Sequence, residues 1–73
     1  MTTTLARLER GQLARIMRID DPGVRAQALR FGIGEGAEIA CQERVPFGPV
    51  IIRKGRQEIA IGRNLAGRIT VEV

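Results

Sequence analysis

From Gly32 to Pro49 the chain reads Gly-Ile-Gly-Glu-Gly-Ala-Glu-Ile-Ala-Cys-Gln-Glu-Arg-Val-Pro-Phe-Gly-Pro. Glycines at three alternate positions (Gly32, Gly34, Gly36) suit the end of a helix and the launch of a strand, because glycine takes positive φ without strain. Pro46-Phe47-Gly48-Pro49 then reverses the strand, Pro fixing φ and Gly permitting the turn. This punctuation excludes any long helix through the middle of the chain. Residues 1–31 have room for one strand and one helix, and residues 50–73 for three short strands.

With 73 residues there is one core and no second domain, so residues 1–73 read as a single unit. A domain of this size buries only about 60% of its unfolded surface, which leaves a thin stability margin. The apolar residues are mostly Ile, Val, Leu and Ala; Phe31 and Phe47 are the only aromatics, and Trp, Tyr and His are absent. Branched aliphatics with nine glycines favour short strands joined by tight turns.

Residues 1–10 read as a frayed start, loosest over 1–4 and anchored by Leu5 and Leu8. Gln12 to Ile19 is the first strand. Ala14 and Ile16 share a face, and a bulge near Met17-Arg18 is needed to return Ile19 to it. Asp20-Asp21-Pro22-Gly23 starts a helix, with Asp21 as cap and Pro22 at the first helical position. Val24, Ala28 and Phe31 form its apolar stripe. Leu29 lies roughly 140° round from Val24, at ~100° per residue, so it is either a partly covered surface residue or a contact for a partner.

The second strand is Ala37 to Arg44, with Ala37, Ile39 and Cys41 inward. The third is Val50 to Arg53, with Val50 and Ile52 inward and Ile51 on the other side. Lys54-Gly55 turns into the fourth, Gln57 to Ile61. Arg63 to Gly67 is a single helical or 3₁₀ turn. Arg68 to Val73 is the fifth strand, with Ile69, Val71 and Val73 inward. The expected fold is mainly β with one short helix: a small five-stranded barrel whose closure removes exposed strand edges.

Chemistry is conspicuously missing. Without His no Ser-His or Cys-His pair can form. One cysteine and scattered carboxylates give no metal-ligand spacing, and Cys41 should be a buried, unreactive thiol. The spaced glycines end a helix instead of opening one, unlike a dinucleotide fingerprint. No catalytic, cofactor-binding or metal residue is therefore expected. No apolar run approaches the ~20 residues that span a bilayer, and the N-terminus lacks a signal-peptide pattern; the expectation is a cytoplasmic protein.

Twelve Lys and Arg against eight Asp and Glu give a net charge of +4. A solvated basic surface accounts for this, and so does attraction to polyanions. A small basic nucleic-acid-binding barrel is the rival reading, but such barrels stack bases on aromatics, and with Phe31 placed on the core stripe only Phe47 is left, too little for a platform. Proline-peptide recognition fails for the same lack.

The order Leu8, Gly11, Ala14, Ile16, Ile19, then Phe31-Gly32-Ile33 and Gly36, then Pro46-Phe47-Gly48-Pro49, then Ile59-Ala60-Ile61, Ala66, Ile69 and Val71 resembles the ferrous iron transport protein A (FeoA) family over about residues 5–73. Two features depart from it. The family often has Arg-Leu where Gln27-Ala28 stand, and an acidic or glycine residue between the Gly and Pro of the turn, where here Gly48 meets Pro49 directly.

The resemblance implies an SH3-like barrel acting in the cytoplasm beside a membrane ferrous iron transporter with a GTP-binding domain (FeoB-type). It implies an accessory protein linked to transition-metal transport, not an enzyme. Similar barrels occur as the C-terminal domain of iron-dependent repressors, so a repressor-type SH3-like interaction module is a further alternative. Docking needs an apolar element as well as charge. The expected contact residues are Leu29, Phe47 and Ile51, framed by Arg25, Arg44 and Arg53. Phe47 is the foremost of these, either as an anchor or as a lid over the barrel mouth.

Overall fold

The computed structural model describes residues 1–73. Six strands form one antiparallel sheet: β1 (Thr2–Thr4), β2 (Leu13–Ile19), β3 (Glu38–Arg44), β4 (Val50–Lys54), β5 (Gln57–Ile61) and β6 (Ile69–Glu72). Helix α1 (Pro22–Arg30) joins β2 to β3, and the one-turn α2 (Arg63–Ala66) joins β5 to β6. The strand order is β1-β6-β2-β3-β4-β5. The sheet curls into a body of 26 × 24 × 24 Å, the architecture of a small SH3-like barrel.

The bulge in β2 lies where the periodicity demands it. Ile16 faces Val71 but Arg18 faces Thr70, so Met17 is the extra residue and Ile19 returns to the core opposite Ile69. A second bulge, not expected from the sequence, makes Gln42 the extra residue between Cys41 and Glu43.

Helix α1 starts as its sequence dictates. The Asp21 carboxylate accepts hydrogen bonds from the N–H groups of Gly23 (2.8 Å) and Val24 (3.2 Å). It ends in a Schellman motif: Gly32 N–H donates to Leu29 C=O, Ile33 N–H donates to Ala28 C=O, and Gly32 sits at φ +75°. This geometry corrects one expectation. Phe31 is the half-exposed cap residue instead of a core member, and Ile33, carried inward by the motif, takes its place against Ala28.

All seventeen buried residues are apolar and form one cluster, with Leu5, Leu8, Ile16, Ile19, Ile52 and Ile69 among the most enclosed. Each such side chain contributes roughly 1.5–3 kcal/mol by leaving water. No buried side-chain polar atom lacks a partner.

Three further expectations differ from the structure. Residues 2–4 are not frayed: they pair with β6, Thr3 opposite Val71, and a 3₁₀ turn at Leu5–Arg7 then buries Leu5. Three consecutive β-branched threonines favour that pairing, although nothing local demands it. The sheet consequently has six strands, and it is not closed by hydrogen bonding, since β1 and β5 remain its edges. Val73 lies beyond β6 and is 37% exposed.

Candidate docking surface

The β3–β4 loop is built from two hydrogen bonds, Gly48 N–H to Val45 C=O (2.9 Å) and Val45 N–H to Pro49 C=O (3.1 Å). With Pro46 second and Phe47 third, at φ +59°, Val45–Gly48 is a type II turn. The third position of that turn belongs to glycine by preference; here it holds the only non-glycine residue of the chain at positive φ. Gly48 is also constrained, because a side-chain carbon there would come within 2.9 Å of Val45 Cγ1. The result lifts the Phe47 ring clear of the body, 96% exposed. It is no lid over the barrel mouth. The Arg63 guanidinium, at the start of α2, lies 5.8 Å from the ring centroid.

The six expected contact residues do not form one patch. Arg44, Phe47, Ile51 and Arg53 belong to the β3–β4 hairpin. Ile51 is half-buried on the outer face, opposite Glu43 and Ala60. Arg53 lines an open depression of about 700 Å³ on the outer sheet face. Arg25 and Leu29 stand on α1. Arg25 is committed locally, donating to Ile19 C=O at 2.9 Å and pairing with Glu35 at 3.4 Å. Leu29 is 63% exposed and leans over Gly34, where a side-chain carbon would meet its Cδ2 at 2.6 Å.

The outer-face depression brings in two residues that the sequence analysis did not single out, the exposed Leu13 and Met17. Their signal was available: Leu13 must point outward once Ala14 points inward, and the bulge residue must leave the core. Charge is unevenly satisfied. Arg10, Arg15, Arg18, Arg25 and Arg68 pair with carboxylates, leaving Arg7, Arg30, Arg44, Arg53, Lys54, Arg56 and Arg63 without one.

Two titratable groups are perturbed. Asp21 is held below the usual carboxylate range, chiefly by the Val24 and Gly23 N–H groups, with Arg68 at 2.7 Å adding to it. Burial pushes the Cys41 thiol up. No group of three or more His, Cys, Asp or Glu side chains is arranged to hold a metal, and no helix is long and apolar enough to cross a membrane.

No curated protein sequence matches this chain. Among solved structures it is similar to an iron uptake regulatory protein (FeoA), with 33% identity, a TM-score of 0.90, and 99% of this chain and 97% of that one covered. It is also similar to the FeoA protein from Chlorobium tepidum, with 26% identity, a TM-score of 0.85, and 97% and 70% covered. A manganese-dependent transcriptional repressor shares the fold, with a TM-score of 0.85 at 20% identity over 96% of this chain and 40% of its own. The sequence itself matches the FeoA domain family over residues 3–73, the whole of the sheet just described apart from its first strand residue, and the chain belongs to that family.

Proposed function

We propose that this protein is a non-catalytic accessory factor of ferrous iron uptake that docks on the cytoplasmic GTP-binding part of a FeoB-type membrane transporter. Membership of the FeoA family supports the iron-uptake context, as does the likeness to an iron uptake regulatory protein. The observation that carries the docking reading is Phe47, an aromatic ring displayed at a backbone conformation that disfavours it. Holding a non-glycine residue there costs of order 1–3 kcal/mol, and such strain collects at binding elements. Arg63 beneath the ring, with Arg44 and Ile51 on the same hairpin, completes an aromatic-and-arginine anchor.

The test is titration of the purified chain against the soluble GTP-binding domain of the transporter. Phe47→Ala is expected to weaken binding by about tenfold or more while leaving the circular dichroism spectrum unchanged. Unaltered affinity in a folded Phe47→Ala protein would overturn the anchor.

The nucleic-acid reading keeps one point in its favour, since Phe31 is exposed and seven cations lack partners. It requires binding of generic RNA or DNA that falls steeply with salt. A gel-shift titration at ~150 mM salt separates the two readings; submicromolar binding there would reverse their order.

A further inference from the structure

Strand β5 pairs with β4 alone, and its other side opens on a groove. The two-residue turn Gly55-Arg56, with Gly55 at φ +61°, makes Lys54 and Gln57 the first facing pair. In an antiparallel ladder from such a turn, hydrogen-bonded pairs alternate with non-bonded ones. Gln57, Ile59 and Ile61 are thereby tied to β4, whereas the N–H and C=O groups of Glu58 and Ala60 point away from it. Neither residue finds a backbone partner elsewhere in the fold.

The groove beside this edge holds about 160 Å³ and runs between β5 and α1, with Ala28 and Phe31 on the helix side and Ala60, Ile61 and Leu65 opposite. Cations stand at both ends. Lys54 reaches the helix C-terminus, its Nζ 3.5 Å from where a side-chain carbon would lie at Gly32, and Arg30 and Arg56 are exposed at the same end. Arg63 stands at the other. None of the four pairs with a carboxylate. Glu58, the one acidic residue of β5, alternates with the inward Ile59 and so belongs to the outer sheet face, opposite Arg53.

We infer that this edge takes an extended acidic segment of a partner protein, added as a seventh strand beside β5. Free backbone groups supply the pairing, the groove takes alternate small apolar side chains, and the cations select carboxylates at the segment's ends. A second copy of this chain is the poorer occupant. Antiparallel β5–β5 pairing, Glu58 facing Ala60 of the other copy, would bring Arg56 of one copy beside Gly62 and Arg63 of the other. This surface shares Arg63 with the Phe47 anchor but does not use the aromatic ring, so Phe47→Ala should leave peptide binding unchanged.

The probe is an eight-residue capped peptide with Asp-Asp at each end and alternating Val and Thr between, titrated while backbone amide resonances are followed. Saturable shifts centred on Glu58, Ala60 and Gly62, weakening with salt, are expected. A peptide N-methylated at alternate residues, and one with Lys replacing Asp, should each bind at least about tenfold more weakly. Ala60→Pro removes one outward N–H without touching the β4 ladder, so the protein should fold and lose the peptide. Arg56→Glu with Arg63→Glu should reverse the preference towards the Lys peptide, which keeps the test decisive if the proline variant is unfolded. Absence of saturable shifts at millimolar peptide, equal binding of the N-methylated form, or shifts centred on Leu13, Met17 and Arg53 would overturn the proposal.

Discussion

The Arg63 guanidinium lies 5.8 Å from the centroid of the Phe47 ring, joining the tip of the β3–β4 loop to the first residue of α2. The contact is made across an aromatic that is otherwise in water, so its own contribution is small, on the order of 0.5–1 kcal/mol. Its consequence is orientation: the ring is held upright above a turn that would more comfortably carry glycine.

Replacing Phe47 by glycine should therefore separate stability from binding. Phe47→Gly relieves the positive φ and is expected to leave the protein equally stable, or up to about 1 kcal/mol more so, in urea unfolding. Its affinity for the transporter's GTP-binding domain should fall with that of Phe47→Ala. A Phe47→Gly protein markedly less stable than the parent would contradict the strain argument.

Deleting Met17 should be tolerated although it lies within a strand. Removal of the bulge residue leaves Ile16 and Ile19 on the core face and keeps their partners Val71 and Ile69. The expected loss is about 1–2 kcal/mol, from altered strand bend. Deleting Arg15 instead forces Ala14 and Ile16 onto opposite faces and should unfold the domain. Thermal melts of the two deletions compare them directly.

Asp21 gives the fold an acid-side weakness. Its carboxyl titrates lower in the folded chain than its ordinary value of 3.8, so the ionised form is favoured by folding. That stabilisation is complete above the ordinary value and is lost as pH falls through the depressed one. Stability should begin to drop near pH 4 and keep dropping below it. Asp21→Asn should be less stable at neutral pH and show a flatter decline over that acidic range in melts recorded against pH.

Cys41 should be silent in the native state. It is 2% exposed and its thiol sits 3.9 Å from Leu8 C=O, while burial disfavours the thiolate. Iodoacetamide at neutral pH is expected to label it only in denaturant, at a rate that follows unfolding. Rapid labelling of folded protein would mean that β3 opens locally.

Much of the core was legible from alternation. Ile39 and Cys41, Val50 and Ile52, and Ile59 and Ile61 each lie two apart and are buried in the structure, and the break at Ile19 placed the bulge. The helix start was equally plain, because Asp21 and Pro22 act on atoms within a few residues of themselves. Phe31 went the other way: its spacing fits the helical stripe, but the Schellman turn ends the helix one residue earlier, and the periodicity no longer applies. The candidate contact residues were separately legible as exposed or outward. Their division between a hairpin and a helix was not.

Sequence alone thus determined what depends on near neighbours: strand faces, the α1 cap, the turns, and the exclusion of His-based chemistry. Tertiary structure decided what depends on residues far apart in the chain. The threonines at 2–4 become a strand only because β6 offers them an edge, and β5 becomes an edge only because nothing in the chain covers Glu58 and Ala60. Backbone hydrogen bonding between strands is indifferent to side-chain identity, so composition carries little record of which edges meet and which stay open.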